Sequence, residues 1–414
     1  MKKITTWYKG LNIYLQLLPF LLLYMSICIF FPKDINLGDQ KRYLMFADNL
    51  LNGYYSPAYP QINLWNGPGY PILLFVFQFL KFNYIALRLL NALMLYASLI
   101  LTYKTIGFYS SKKNALYFTL ALALYFPIFE SVRQLLTETL AWFLISLICF
   151  LFSKNFQQSK RSWKLVLATG VSIAFLAMTK IIFGYVILAM IFVSLFFFLF
   201  PKFRATAMRS AVIFIVSLAL CLPYLAYTYS ITHKAFYWSN SGSMSLYTMS
   251  TPYVGETGQW YDEGDLLKNT NHNHFMDSIS KLDPLEKDAA YKNAGIKNIK
   301  QHPGKYLINI VSNVGRLLFF PSDYAPDSIF SYYPFVPNMF IVVFIVISIL
   351  VSLKYYKKIP KELIYLFMFI AIYLVASTMV SAYRRMFHIT MPFWFIIFPY
   401  ILSNIITIKV KEDL

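Results

Sequence analysis

Long apolar runs recur along almost the whole chain, and they constrain the fold more than any other feature. The first extends from about Leu11 to Phe31, and nine more runs of similar character follow it. A helix needs about 20 mostly apolar residues, or about 17 when short, to cross a bilayer. Of the 414 residues, 58% are hydrophobic and only 13% are charged, whereas a soluble domain carries about 25% charged residues. The sequence therefore predicts an all-α polytopic membrane protein and excludes a set of soluble domains.

Ten of these runs are predicted to be membrane-spanning helices. They are 11–31, 84–103, 115–129, 136–153, 164–179, 183–200, 211–230, 337–353, 362–380 and 386–407. The first is longer than a signal-peptide core and has no Ala-x-Ala-like cleavage site, so we expect it to remain as an uncleaved span. Two further apolar segments, 68–81 and 305–320, are predicted to lie along the membrane interface, the second as an amphipathic helix.

The basic residues indicate how the chain is oriented, because Lys and Arg near span ends prefer the cytoplasmic side. If 68–81 does not cross the membrane, all the basic connectors fall on one side together with both termini. Topology then accounts for most of the net charge of +19, and nucleic acid is not needed as a partner. The uncleaved first span and compact loops suit a bacterial inner membrane, although an endoplasmic reticulum membrane follows the same charge pattern.

Three regions follow from this topology. The first, 1–230, is a seven-span module that includes an outer loop at 32–83. The second, 231–336, is a large outer loop that contains the amphipathic helix 305–320. The third, 337–414, consists of three C-terminal spans and a cytoplasmic tail. The two outer loops carry most of the hydrophilic residues, which favours chemistry or binding on the outer face.

Acidic residues at the outer ends of spans are the first candidates for chemistry. Asp39 follows Gly38 at the start of a predicted helix 40–51, where it could cap that helix or act as a general base. Glu130, Arg133 and Glu138 lie within nine residues, at the outer turn between the third and fourth spans. They could line a polar pocket, or be solvated, with Glu138 complementing the dipole of the helix that it begins.

Cations placed against the positive-inside pattern are the second group of candidates. Lys180, Arg384 and Arg385 lie at outer ends of spans, where they could reach lipid phosphates or bind the anionic part of a ligand. Together with Arg42 and Arg133 they surround an outer site with positive charge, which suits a phosphate or diphosphate. The remaining pocket candidates are Gln40, Tyr43, Trp260, Tyr261 and His388.

Several loose motifs follow one another in order along nearly the whole chain. They are GDQKRYLMFADNLLNG, GPGYPILL, RLLNALMLY, LLTETLAWFLISL, MTKIIFGYV, SNSGSMSLYTM, DPLEKDAAYKNAGIKNIKQHPGKYLINIVSNVGRLLFF and YRRMFHITMPFW. In this order and spacing the chain resembles the GT-C-fold integral membrane glycosyltransferases that use polyprenyl-phosphate sugars. Lipid A aminoarabinose transferase and the protein O-mannosyltransferases are members of that group.

The resemblance implies a GT-C-like bundle and an activity. The donor, a polyprenyl-phosphate-linked sugar, would lie in the membrane lipid. Its sugar would move to a glycan, lipid or protein acceptor, with inversion of configuration at the anomeric carbon. Asp39 occupies the position of the family's catalytic acid, Lys180 that of its donor-phosphate lysine, and Glu138 that of the acid at the start of the fourth span.

The chain departs from the family pattern at two positions. Gln40 stands where mannosyltransferases often carry a second acid. Asn66 and Gly67 stand in place of a basic residue that many relatives carry just before the Pro-Gly-Tyr-Pro-like segment. The donor phosphate is therefore expected to depend on Lys180 together with Arg384 and Arg385.

Two other classes of protein remain open on the sequence alone. A polysaccharide polymerase of the O-antigen type would explain Arg384 and Arg385, but it does not require an acid directly after the first span. A secondary transporter would carry ionisable residues near mid-membrane and broken spans in paired positions. No cofactor is required by the sequence, a divalent metal is left open, and neither the sugar nor the acceptor is identified.

Overall fold

The computed structural model describes residues 11–36, 38–319, 335–380 and 382–405, and within these ranges it contains helices and no strand. The helices before the large loop are α1 (Ile13–Phe30), α2 (Asp39–Leu51), α3 (Gly69–Phe79), α4 (Tyr84–Ile106), α5 (Lys112–Ala123), α6 (Phe129–Val132), α7 (Thr137–Gln157), α8 (Trp163–Thr179), α9 (Ile182–Phe198) and α10 (Arg204–Thr232). Those that follow are α11 (Gly242–Met249), α12 (Glu263–Lys268), α13 (Asn273–Ile279), α14 (Pro284–Gln301), α15 (Pro303–Leu318), α16 (Phe335–Lys354), α17 (Lys361–Val380), α18 (Arg384–His388) and α19 (Met391–Asn404).

Six of the described helices are long and apolar enough to cross a membrane. They are α1, α4, α7, α10, α16 and α17. A seventh span results if α5 and the segment Phe126–Val132, which are bent by 44° relative to each other, cross as one. The predicted spans 164–179, 183–200 and 386–407 correspond to the shorter apolar helices α8, α9 and α19. The prediction of an all-α polytopic membrane protein is confirmed, and the number of ten spans stays a prediction.

Helix α3 covers the apolar segment 68–81 that was predicted not to cross the membrane. It contains 11 residues, which corresponds to about 16 Å of helix. The hydrocarbon core of a bilayer is about 30 Å thick, so α3 is too short to span it. Its position along the membrane interface stays a prediction.

The basic connectors meet at one end of the bundle, which we call the basic end. Arg209 donates to the carbonyl oxygen of Ser159 at 2.7 Å, and Lys361 donates to the carbonyl oxygen of Lys202. These contacts bring three connectors together, as the charge pattern predicts. We call the opposite end, where α7 begins and α8 ends, the site end. The predicted cytoplasmic tail and residues 320–334 of the predicted loop 231–336 lie outside the described residues.

Helices α11 to α14 pack around a second apolar core within the large loop. Its buried members are Met244, Tyr247, Leu266, Met276, Ile279 and Tyr291. Helix α14 begins with a complete capping box, in which Asp283 accepts from the backbone of Glu286 and the Glu286 side chain accepts from that of Asp283. Such reciprocal capping satisfies backbone donors that a helix start otherwise leaves open.

Helix α15 covers most of the segment 305–320 that was predicted to form an amphipathic helix. Its exposed side chains are apolar, namely Leu307, Ile308, Val311 and Val314. Two asparagines that interrupt the apolar pattern, Asn309 and Asn313, are instead fully buried. A buried amide needs hydrogen-bond partners, so this face of α15 contacts polar groups of the protein. Contact of the apolar face with lipid stays a prediction.

Candidate active site

Asp39 is the first residue of α2, and it does not cap that helix. The N-cap is Gly38, whose φ of 60° lies in the left-handed region, and no side chain accepts a capping hydrogen bond there. The alternative in which Asp39 serves as the N-cap is therefore wrong, because glycine at position 38 permits a start without a side-chain cap. The carboxylate is left to interact with cations.

Two arginines bind the Asp39 carboxylate, one on each oxygen. Arg42, three residues further along α2, donates to Oδ1, and Arg385 donates from NH2 to Oδ2 at 2.8 Å. Burial alone raises the pKa of Asp39, but Arg385 and then Arg42 outweigh it and lower that pKa to about 2. Asp39 is thus ionised at neutral pH and held between two guanidinium groups.

Glu138 lies in the first turn of α7 and is buried at the base of the same cluster. Its side chain is only 1% exposed, and Oε1 accepts from Nζ of Lys180 at 2.7 Å. Nε of Arg385 lies 3.7 Å from the same oxygen. The other carboxylate oxygen, Oε2, is buried and accepts no hydrogen bond from the described residues. Arg385 therefore bridges the two carboxylates, and Glu138 retains one oxygen for another donor.

Lys180 is positioned by a close contact between the α3 start and the end of α8. Lys180 directly follows α8, and its backbone N–H donates to the carbonyl oxygen of Leu176 at 2.8 Å. A Cβ atom on Gly67 would lie 2.2 Å from the carbonyl oxygen of Met178, and one on Gly69 would lie 2.5 Å from Oγ1 of Thr179. Only glycine allows the backbones to approach this closely, so the Gly-Pro-Gly segment fixes the end of α8 beside α3.

Asn66 and Trp65, which precede that segment, belong to the cluster although sequence reasoning did not include them. Oδ1 of Asn66 accepts from Nε of Arg42 at 2.7 Å, and the Arg42 guanidinium lies 5.6 Å from the centre of the Trp65 ring. Nδ2 of Asn66 also donates to the hydroxyl of Tyr43 at 3.3 Å. The sequence signal at this position is the absence of a basic residue that the family pattern contains. Asn66, which binds Arg42, stands in its place.

Gln40 is buried, and both ends of its amide are engaged by backbone groups. Nε2 donates to the carbonyl oxygen of Asp34 at 2.9 Å, and Oε1 accepts from the N–H of Leu135 at 2.9 Å. Gln40 therefore ties α2 to the turn before α7. The structure places it as a support for Asp39 and Glu138 rather than as a side chain available to a substrate.

Glu130 and Arg133 form a separate ion cluster with Lys33. Nζ of Lys33 lies 2.8 Å from Oε1 of Glu130, and Nε of Arg133 donates to Oε2 of the same carboxylate at 3.0 Å. Across the part of the chain that the structure describes, no ion pair joins these residues to Asp39 or Glu138. The structure does not bring Glu130 and Arg133 into the Asp39 cluster.

The other predicted site residues lie around the cluster or in the large loop. His388 is buried, with its ring edge-on to Tyr125 at 5.6 Å. Tyr261 lies 6.4 Å from the ring of His272 within the loop core, and Trp260 is half-buried beside it. Arg384 directly precedes Arg385 and is half-exposed.

The site therefore contains two carboxylates and three cations, which leaves one net positive charge. Its members are Asp39, Arg42, Glu138, Lys180 and Arg385. Glu138 is shut away at the base, whereas Asp39, Arg42 and Arg385 retain 22%, 31% and 36% exposure of their side chains. Within the described ranges, no three His, Cys, Asp or Glu side chains group as metal ligands. The arrangement suits an anionic ligand that enters beside a carboxylate.

Fold and site together define a polytopic helical membrane protein with a cationic, carboxylate-containing cluster at one end of its bundle. Residues 68–236 match the family described as dolichyl-phosphate-mannose-protein mannosyltransferase. The predicted resemblance to GT-C glycosyltransferases that use lipid-phosphate sugars is confirmed by this match. The matched region contains Glu138 and Lys180, while Asp39 and Arg385 lie outside it.

Comparison with whole proteins gives two further results. No curated protein matches the chain at a significant level. Among solved structures, the chain is similar to the crystal structure of ArnT from Cupriavidus metallidurans bound to undecaprenyl phosphate. The identity is 12%, the match covers 94% of this chain and 77% of that chain, and the TM-score is 0.44.

Proposed function

We propose that the protein is a membrane glycosyltransferase that moves a sugar from a polyprenyl-phosphate donor to a glycan, lipid or protein acceptor. One observation carries this proposal. Arg385 forms ion pairs with both Asp39 and Glu138, and Lys180 is paired with Glu138 beside it. A reactive carboxylate and several phosphate-binding cations then occupy one site. The family match over 68–236 supports the same class of reaction.

Lys180 and Arg385 are assigned to the donor phosphate, with Arg384 as a neighbouring cation. The bond that breaks joins the anomeric carbon to the phosphate oxygen, so negative charge grows on the leaving lipid phosphate. Positioned cations stabilise such charge in the transition state because they need no reorganisation when it develops. The net positive charge of the cluster is sufficient to receive one anionic group.

Asp39 is assigned as the general base for the acceptor. It removes a proton from the acceptor hydroxyl or amine, which attacks the anomeric carbon from the face opposite the leaving group and inverts its configuration. A carboxylate with a pKa of about 2 is a weak base, since general bases work best with a pKa near the operating pH. A donor phosphate on Arg385 would withdraw that cation from Asp39 and add negative charge nearby, and both effects raise the Asp39 pKa.

Glu138 is assigned to hold Lys180. Its Oε1 accepts from the Lys180 ammonium at 2.7 Å, and its side chain is only 1% exposed. Glu138 therefore acts on the donor phosphate through Lys180 rather than by contact with the sugar.

The site is assigned to the outer face of a bacterial inner membrane, with both termini cytoplasmic. The support for this orientation is the meeting of the basic connectors at the other end of the bundle, because such connectors prefer the cytoplasm. An outer site fits a donor whose sugar has already been carried across the membrane on its lipid.

The test is a transfer assay with purified protein in nanodiscs, supplied with polyprenyl-phosphate sugars from a bacterial lipid extract. Mass spectrometry follows the loss of donor and the appearance of free polyprenyl phosphate. We expect Asp39→Asn to lower the rate by about 10²–10⁴, as for loss of a general base. Asp48→Asn is the matched control, because Asp48 lies on the same helix, is exposed, and accepts from Gln78. Equal rates for the two variants would contradict the role of Asp39.

A further inference from the structure

The buried face of α15 contains asparagines where an apolar helix would place hydrophobic residues. Asn309 and Asn313 are four residues apart and therefore lie on one face of the helix, and they are 0% and 1% exposed. Burying an amide is unfavourable unless its hydrogen bonds are made. Each asparagine must therefore bind a polar group of a neighbouring segment, and the two bind different ones.

Asn309 binds the large loop. Its Nδ2 donates to the carbonyl oxygens of Met249 and Thr251, each at 3.0 Å. Its Oδ1 accepts from Nζ of Lys305 at 2.7 Å. These contacts fix the segment that follows α11, and none of them involves the residues that lead to Arg385.

Asn313 binds both sides of the turn between α17 and α18. Its Nδ2 donates to the carbonyl oxygen of Thr378 at 2.8 Å, near the end of α17. Its Oδ1 accepts from the backbone N–H of Ala382 at 3.2 Å and also from Nε of Arg316 at 3.2 Å. One side chain thus joins the end of a spanning helix to the start of the segment that leads to Arg385.

Tyr306, two turns earlier on the same face, supports this turn as well. Its hydroxyl donates to the carbonyl oxygen of Met379 at 2.6 Å. The last carbonyls of a helix have no partner within that helix. Tyr306 and Asn313 therefore supply, from α15, the partners that the end of α17 requires.

We propose that Asn313 is a positioning residue for Arg385, acting through its hydrogen bonds to Thr378 and Ala382. Arg385 lies three residues beyond Ala382, and its guanidinium must reach both Asp39 and Glu138. A small displacement of the turn would break that bridge, and catalytic geometry tolerates little displacement. The consequence for catalysis rests on the proposed function, whereas the positioning itself does not.

The first test measures positioning without any need for activity. Hydrogen–deuterium exchange with mass spectrometry compares Asn313→Ala with Asn309→Ala in the full-length protein in nanodiscs. We expect Asn313→Ala to speed exchange in 382–388, and Asn309→Ala to speed exchange in 249–257 while leaving 382–388 unchanged. Equal effects of both variants on 382–388 would overturn the proposal, because Asn313 would then only stabilise α15.

The second test measures the consequence for transfer. Asn313→Ala should reduce kcat/KM by about 10- to 100-fold, as for a misplaced catalytic geometry. In an Arg385→Ala background the same change should cost less than about twofold, because residues that act through one another are not additive. If Asn313→Ala lowered kcat/KM by the same factor in the Arg385→Ala background as in the wild-type protein, the proposal would be overturned.

A milder variant keeps the proposal testable if Asn313→Ala does not yield folded protein. Tyr306→Phe removes only the hydroxyl that binds Met379, and it should speed exchange in 382–388 by several-fold. Unchanged exchange there would count against the proposal. Absence of transfer activity in the wild-type protein would refute the proposed function alone, because the exchange experiment reports on the turn directly.

Discussion

Arg385 donates a hydrogen bond to Asp39 at 2.8 Å, although 346 residues separate them in the chain. The segment after the first predicted span and the segment before the last helix thus meet in one ion cluster. Lys180 and Glu138, from the middle of the chain, complete it. The site therefore depends on the whole bundle rather than on a local motif.

Arg385→Lys should weaken transfer even though it keeps the charge. A guanidinium offers several donors in a fixed plane, and an ammonium is a point charge that cannot reproduce a bridge between two carboxylates. We expect kcat/KM for the donor lipid to fall about tenfold or more. Arg209→Lys is the control, since Arg209 binds backbone carbonyls at the basic end. Similar losses in both variants would count against a special role for Arg385.

Removing Arg385 should also shift the pH dependence of transfer. Asp39 works as a base only when ionised, so activity falls as the pH drops through its pKa. Burial raises that pKa, Arg385 lowers it most, and Arg42 lowers it next, which gives a value of about 2. The acid limb of kcat/KM, which reports on the free enzyme, should therefore move to higher pH in Arg385→Ala. The move should be smaller in Arg42→Ala, and an unchanged acid limb in both variants would show that Asp39 does not govern it.

Gly67→Ala should destabilise the protein and disturb Lys180. The added Cβ would lie 2.2 Å from a backbone oxygen of Met178, and a backbone atom cannot rotate away. Overpacking of this kind typically costs about 1–3 kcal/mol, which the thermal unfolding midpoint would show as a drop of several degrees. Gly242→Ala is the control, because nothing lies within 4 Å of its added Cβ. An unaltered midpoint in Gly67→Ala would contradict the close contact between α3 and α8.

Acid should open the large loop through Glu256. This buried carboxylate accepts from the side chains of Asn271, His272 and Thr251. Burial raises its pKa, but these hydrogen bonds outweigh it and lower the pKa below 4.5. The stabilisation is then present above the usual pKa and lost as the pH falls through the lowered one. Limited proteolysis of 242–301 should accelerate as the pH falls below the usual range of a carboxyl pKa and through the lowered pKa of Glu256, and Glu256→Gln should lack that acid step.

The charged residues of the candidate site could be predicted from the sequence, because charges that break the topology pattern of a membrane protein are few and easily recognised. Lys180 and Arg385 lie where the positive-inside pattern does not put cations, and such placements are costly unless a partner compensates for them. Asp39 and Glu138 were identified from their positions at helix starts and from the family resemblance. The structure brings these four residues together.

The partners of those charges could not be predicted, because periodicity reports which face of a helix is apolar but not what that face meets. Asn66 and Gln40 illustrate this, since Asn66 binds Arg42, whereas Gln40 binds the backbone groups of Asp34 and Leu135. On α15, the asparagines interrupt an apolar pattern, yet they form the buried contact. Tertiary hydrogen bonds of this kind cannot be recognised from any fixed spacing of residues in the sequence.

A structure of the protein with a bound polyprenyl phosphate tests the central claim most directly. We predict a phosphate within hydrogen-bond distance, about 3 Å, of Nζ of Lys180 and of the Arg385 guanidinium, with the bond between Arg385 and Asp39 lengthened or broken. A phosphate bound instead by Lys33 and Arg133, with the Asp39 cluster unchanged, would contradict the account.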